Sequence, residues 1–371
     1  MTMTMTDLER AHQNFYVPAY QILVDGKDLL MDKYMEIASV QVDNTLKGAD
    51  RFTFTVNSTF NFEKREFAHL TDLFAFGKPV VIYMGYKDAE KLPLMLRGKV
   101  TAVQTSFPAN GLPQITVSGF DLSYCMTIGT GKEPLKWANR KDSEIVAELA
   151  GQYGLNPKVE DTKVKHPITE KGQQSDMQFI EKLAERNGFE FYTFDTDLYF
   201  QRPKNVRETA NNGDPVVFLE WGRGLLSFSP EMNISQQITK VEVRGWDVNS
   251  KKEIVGTAGK GDEPRRDTGR QSGGDVMQTV CRDQGELKIR VPVFSKQEAD
   301  RWAQAILKKR AEQFVQGSGE SIGLPEIRAD ENIKLEGLGT PFSKVYYIEQ
   351  STHTINSSGY RTTFKVKDTT I

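Results

Sequence analysis

The sequence predicts a mainly β chain with an α+β insert. Two observations carry this. Short runs of alternating apolar and polar residues recur from about Phe15 to Tyr124 and again from Pro215 onward. Between these stretches lie two amphipathic helical patterns and a hairpin. The implied domains are 1–126, a first β-barrel; 127–212, a mixed α+β unit; and 213–371, a second β-barrel carrying one long helix.

The first segment opens with Tyr20–Val24, which runs into the Asp25-Gly26 turn. Ile37–Leu46 alternates, and Arg51–Val56 does so again with Phe52, Phe54 and Val56 on one face. Pro79–Tyr86, Leu94–Thr105 and Ile115–Phe120 follow, the last two joined by the turn Pro108–Gly111. In Glu63–Phe74 the residues Phe67, Leu70, Leu73 and Phe74 share a helical face, which predicts a short helix. Five or six short strands with one helix make a small barrel or sandwich.

Beyond Gly129 the period changes. Ser143–Tyr153 is a helix with Ile145, Val146, Leu149 and Tyr153 inward, stopped by Gly154. Pro157–Lys171 reads as charged and turn-rich. Ser175 and Gln178 form a capping box for a helix carrying Phe179, Ile180, Leu183 and Ala184, with Gly188 as its C-terminal stop. Phe189–Phe194 and Leu198–Gln201 make a hairpin around Asp195-Thr196-Asp197, and Gln201–Asp214 is a linker.

The third segment places strands at Val216–Trp221 and Leu225–Ser229, alternation at Ile238–Asp247, and a stretch Glu286–Val293 that leads to the next helix. The glycine-rich, charged tract Gly256–Gly274 reads as a mobile surface loop. Ser295 and Glu298 cap the best helix in the chain, with Ala299, Trp302, Ala303, Ile306 and Phe314 on one stripe and Gly317-Ser318-Gly319 ending it. Ile333–Leu335, Val345–His353 and Tyr360–Lys367 are the closing strands. Both β-rich segments end strand–turn–strand, a weak repeat that allows two related barrels.

The 371 residues imply two or three domains. Forty-eight Lys and Arg against 50 Asp and Glu give a net charge of −2, so there is no global electrostatic reason for binding nucleic acid or an anionic membrane. No apolar run is long enough to span a bilayer, and Met1–Thr6 lacks the apolar core of a secretory signal, so cytoplasmic synthesis is expected, without membrane insertion. Cys125 and Cys281 lie far apart and read as buried or incidental thiols.

The search for chemistry returns little. Gly129-Thr130-Gly131-Lys132 resembles a phosphate loop, but Met126 stands where a glycine is needed and Glu133 where Ser or Thr would hold Mg²⁺, leaving a flexible linker. Asp195 and Asp197 read as a hairpin turn rather than a carboxylate pair. His12, His69, His166 and His353 show no metal-ligand spacing, with His353 half-buried in a strand. Tyr346, Tyr347, Phe189 and Phe191 sit at strand spacing and read as core rather than a base-stacking platform. No catalytic, cofactor-binding or metal residue is therefore assigned, and no enzymatic activity is expected.

The segment Gln174–Phe189 resembles the "SD-x-x-F-I-x-x-L-A-E-x-x-G" stretch of contractile-tail hub proteins. Ile238–Asp247 with Lys251–Gly256 does so too, and Gly337-Leu338-Gly339, Tyr346-Tyr347-Ile348, His353 and Gly359–Phe364 match the closing strands of that group. The chain resembles the late control gene D family of phages, akin to the N-terminal hub part of VgrG spike proteins and to the hubs of extracellular contractile injection systems. That resemblance implies two similar small barrels per chain and a homotrimer forming a pseudo-sixfold ring. Such a ring joins a sixfold inner tube to a threefold spike within an assembled particle, beside baseplate wedge proteins. Because the chain ends at Ile371, after the second barrel, the spike is expected on a separate polypeptide. Trp221, Trp246 and the tract Gly256–Gly274 are candidates for subunit or baseplate contacts. The competing readings are a tail-associated cell-wall hydrolase, its acids paired only in space, and a carbohydrate-binding β protein.

Overall fold

The computed structural model describes residues 2–57, 60–86, 92–205, 215–247, 251–264, 269–281 and 285–371. Six antiparallel strands of the first segment lie in the order Pro18–Val24, Pro79–Tyr86, Leu94–Ser106, Gln114–Asp121, Arg51–Asn57 and Glu36–Thr45. Alternation decides what each face meets. Phe52, Phe54 and Val56 are fully buried, as are Val40, Val42, Ile115 and Val117 on neighbouring strands. Each such side chain stabilises the fold by roughly 1.5–3 kcal/mol.

Glu36–Thr45 then pairs with Lys344–Asn356, so the sheet runs on without a break into the last segment. There Lys344–Asn356, Asn332–Glu336, Val217–Trp221, Gly224–Met232, Val315–Ile322 and Gly359–Asp368 follow one another. The last pairs back onto the first, closing a six-stranded barrel. The two β units share more than an edge. Ile355 and Tyr360, beside the tip of the final hairpin, lie in the core of the first unit.

A second layer sits beside the closed barrel. Lys240–Asp247 pairs antiparallel with Lys252–Gly259 and parallel with Glu286–Arg290. The helix Lys296–Ala311 packs on this sheet through Ala299, Ala303 and Leu307 against Val241, Val243 and Ala258. Gly256 allows the close approach, because a methyl group there would lie 2.2 Å from the Ala299 carbonyl carbon.

Between the β units, the helices Asp142–Gln152 and Asp176–Asn187 pack with the hairpin Glu190–Phe194/Asp197–Gln201 around a core that includes Trp137, Leu149, Phe179 and Phe200. The capping box of Ser175 and Gln178 is present, and Gly188 ends the helix with φ +67°.

Several elements differ from the sequence-based expectation. Glu63–Phe74 is not a helix. Phe60–Asn61 and Glu66–Phe67 form a short ladder, and Arg65 and His69 have left-handed backbone, which an α-helix cannot contain. Leu73 and Phe74 still reach the core. The stretch Pro157–Lys171 supplies two strands, Asn156–Val159 beside Asp197–Gln201 and Lys165–Glu170 beside Lys136–Lys141.

The expected mobile loop 256–274 is largely built structure. Its start completes the strand Lys252–Gly259, Glu263 is buried and receives the Ser272 hydroxyl, and Gly273 and Gly274 begin the helix Gly273–Cys281. Its residues 265–268 lie outside the described residues. Gly317 and Gly319 do not end a helix but lie within the strand Val315–Ile322. The rings of Phe228 and Phe364 lie over them, where a methyl group would come within 2.6 Å. Most of the linker Gln201–Asp214 falls outside the described residues. Before it, Arg202 is tied to Glu160 at 2.6 Å. The N-terminal residues, assigned no element from sequence, form a capped helix Met5–Ala11 that buries Leu8 in the core of the closed barrel.

Candidate functional site

The residues singled out from sequence are scattered and mostly structural. The Gly129–Lys132 segment is fastened rather than flexible. The Lys132 amide donates to Asp176 Oδ2 at 2.8 Å, and Gly131 packs on the same carboxylate. Lys171 donates to Asp176 Oδ1 and to the Lys132 carbonyl, both at 2.6 Å, and the Tyr153 hydroxyl donates to Asp176 Oδ2 at 2.6 Å. A carboxylate occupies the place a phosphate would need.

Asp195 is a hairpin-turn residue with φ +57°, and its carboxylate pairs with Arg97 of the first β unit. Asp197 bonds Asn156 at 3.0 Å. His353 is fully buried, not half-buried, bonding the Tyr360 hydroxyl and the Ile327 carbonyl, both at 3.0 Å. Burial and then the Arg328 charge push its pKa down to about 3, so it is neutral at ordinary pH. His12 meets Glu326 and His69 meets Asp72. Tyr346, Tyr347 and Phe191 are buried and Phe189 is partly so. Cys125 and Cys281 are free and exposed, not buried. Among the described residues, no group of three or more His, Cys, Asp or Glu side chains is placed to hold a metal ion.

What the structure brings together is a polar junction of all three segments around a cavity of about 250 Å³, lined by Asn44, Asp50, Tyr192, Tyr199, Lys204 and Arg328 among others. Arg328 donates to the carbonyls of Leu94 at 3.1 Å and Met95 at 3.2 Å, and its guanidinium lies 4.1 Å from the Phe194 ring centroid. Asp121 receives the Asp50 amide at 3.1 Å and the Thr193 hydroxyl at 2.5 Å. Asp330 receives the hydroxyls of Tyr192 at 3.1 Å and Tyr347 at 2.9 Å. Burial and the neighbouring Asp121 charge push Asp50 up to about 7. These residues are separated by up to 286 positions, from Asn44 to Asp330, and no spacing rule identifies them from sequence.

A second buried group ties the middle helices to the long helix. His166 lies 3.6 Å from Asp142 Oδ2 and 3.2 Å from Glu298 Oε1, and Arg186 bonds Asp142 Oδ2 at 2.6 Å. Burial alone lowers the His166 pKa, but the bonds to Asp142 and Glu298 outweigh burial and Arg186 repulsion and raise it above its usual 6.5. A raised histidine contributes stability that is complete below its unfolded value and lost as pH rises through its folded value. Thermal unfolding of the chain should therefore show stability declining above about pH 6.5. In His166→Gln that decline should be shallower; an unchanged slope would refute the assignment.

The outward face of the continuous sheet has its own character. Across the ladders Thr53 meets Ser118 and Thr55 meets Thr116, each pair at 3.2 Å, and the Thr352 hydroxyl donates to Asp43 at 2.8 Å between the two β units. The register continues this face through Gln350 opposite Lys365, Thr363 opposite Glu320, and Ser318 opposite Ser229. Thus eight strands, from Leu94–Ser106 across to Gly224–Met232, present one polar surface. The alternating Thr and Ser of 51–57 and 114–121 were visible in the sequence; their alignment with strands some 300 residues away was not. Elsewhere large apolar groups stand in solvent, including Trp221 (63% exposed), Trp246 (59%), Tyr16 and Tyr34 (both 88%).

A family model described as the Alg8 N-terminal domain matches residues 15–357. No curated protein matches. Among solved structures, the 43 kDa tail protein of prophage MuSo2 from Shewanella oneidensis superposes with a TM-score of 0.69 at 13% identity, over 95% of this chain and 100% of that one. The tail protein from Neisseria meningitidis MC58 gives 0.65 at 12%, over 95% and 97%. The E. coli c3393 protein is described as a component of the type VI secretion system with structural similarity to the T4 bacteriophage tail proteins gp27 and gp5. It gives 0.55 at 11%, over 90% and 73%. At these identities the likeness establishes a shared fold.

Proposed function

The chain belongs to the family described as the Alg8 N-terminal domain, and on that premise, joined to the fold it shares with tail proteins, we propose that it is a structural hub of a contractile tail or injection-system baseplate. In this reading it acts without catalysis. Three copies form a pseudo-sixfold ring that meets the sixfold inner tube on one side and a threefold spike on the other, within the baseplate wedge proteins.

One observation carries the proposal: two β units lie side by side in a single continuous sheet, joined by the ladder from Gln350↔Thr45 to Ile355↔Val40. A sixfold tube edge offers six equivalent patches. A closed trimer with two β units per chain meets all six while keeping a threefold face for the spike. Covalent linkage and the shared ladder hold neighbouring units at a set spacing, as a ring requires. Exposed apolar groups such as Trp221 and Trp246 supply contact surface of the kind interfaces use.

Native mass measurement of purified particles should find three copies of this chain in each. Six copies, or none, would overturn the proposal.

A further inference from the structure

We infer that a cavity between the helix Asp176–Asn187, the long helix and the two β units is a binding site for an alkylammonium group, an aliphatic stem ending in a primary amine. The site is built within one chain, so it stands whether or not the chain assembles into a ring.

The cavity measures about 380 Å³, against about 250 Å³ for the junction at Arg328. Small-molecule sites favour such joints between units, with an apolar lining and a few convergent polar groups. Here the apolar part comes from Leu46 of the first β unit, Ala184 of the middle helix, Phe189 and Phe191 leading into the hairpin, and Ala305 of the long helix. Such surfaces suit the methylene groups of an aliphatic stem.

The charges do not balance. Five glutamates and four lysines border the cavity. Every lysine is already engaged: Lys47 with Glu349 and Lys309 with Glu185, both at 2.7 Å, Lys367 with Glu312 at 2.8 Å, and Lys308 with the Gly188 carbonyl at 3.1 Å and Glu312 at 3.7 Å. Glu190 is left over. Its side chain is 16% exposed, and its closest ion pair is a 3.9 Å approach to Lys367, the ammonium that sits on Glu312. Its carboxylate has no hydrogen bond among the described residues. Burial pushes its pKa up, the Lys367 and Lys308 charges do not cancel that, and Glu312 and Asp330 add to it. Glu181 is also pushed up, by burial and by Glu185, against a bond from the Gly48 amide.

Gln313 borders the same cavity, and its buried Oε1 lacks a hydrogen bond. Buried acceptors call for a donor. These acceptors come from the hairpin and from the end of the long helix, so a compact ammonium with three rotatable N–H groups serves them better than a planar guanidinium fork. A divalent metal ion is not served, because among the described residues no three acids or histidines converge.

The test is calorimetric titration of the full chain at low salt and mildly alkaline pH. n-Pentylamine should bind saturably, once per chain, and n-pentanol, of the same length, should not. Glu190→Gln, checked for folding by circular dichroism, should weaken amine binding by about tenfold or more, the scale of a lost charge-assisted hydrogen bond. The wild-type chain gives a further reading that needs no variant. At mildly acidic pH a cation seated on a partly protonated Glu190 drives off its proton, so heats in two buffers of different ionisation enthalpy should reveal proton release. A third titrant, Nα-acetyl-lysine methylamide, separates the sources: its binding beside the amine assigns the site to a lysine of another chain, and binding of the amine alone assigns it to a free amine. No saturable amine binding, equal binding of the alcohol, unchanged affinity in Glu190→Gln, or no proton release would overturn the inference.

Discussion

Lys171→Met should lower the stability of the chain by roughly 3–5 kcal/mol, the usual consequence of removing one partner from a buried ion pair. Both Lys171 and Asp176 side chains are fully buried, 2.6 Å apart. The loss would strand the Asp176 carboxylate at the first turn of the helix Asp176–Asn187 with only the Lys132 amide and the Tyr153 hydroxyl to face it. It would also release the Lys132 carbonyl and loosen the Gly129–Lys132 segment. Lys171→Met combined with Asp176→Leu should recover much of the loss, because the uncompensated charge has gone. Urea unfolding of the four variants forms the cycle. A single-mutant loss below about 1 kcal/mol would contradict the account, since that is the scale of an exposed pair.

The second large effect is expected at Arg328. Replacement by Met keeps the apolar stem but leaves the Leu94 and Met95 carbonyls without their donor. It also removes the cation from the Phe194 ring and a positive charge that partly offsets the buried Asp50. Unpaired buried acceptors cost about 1–3 kcal/mol each, so a total of roughly 2–4 kcal/mol is expected for this half-buried side chain. The effect should fall on the joint as much as on global stability. Arg328 sits between the first β unit and the middle hairpin, so hydrogen exchange should quicken at 94–95 and 190–194 before the closed barrel is affected. Uniform quickening throughout the chain would refute a junction role.

The sequence alone was most informative where the period of side chains meets a buried face. Phe52, Phe54 and Val56, or Phe179, Ile180 and Leu183, lie inward because alternation and helical spacing leave no other arrangement. The Ser175 cap and Gly188 stop were legible for the same local reason. Failures came where distant chain decides local form. Gly317 and Gly319 look like a helix end, yet they are strand positions chosen because the rings of Phe228 and Phe364 need the space. The tract 256–274 looks mobile by composition, yet the Lys240–Asp247 strand, the long helix and the Ser272↔Thr370 bridge hold parts of it. The N-terminal helix carries a capping box but buries only Leu8, too little apolar patterning to announce itself.

What the sequence by itself determined is the alternation of β, α+β and β segments, the inward set on each strand, and the want of any recognisable catalytic spacing. Tertiary structure decided that Glu36–Thr45 pairs with Lys344–Asn356, that Arg328, Asp50 and Asp121 meet at one junction, and that the threonines and serines of eight strands share one face. The reason is physical. Side-chain period is a local property of a strand, whereas register between strands 300 residues apart is set by loop closure, core packing and the satisfaction of buried polar groups, none of which any short window of sequence contains.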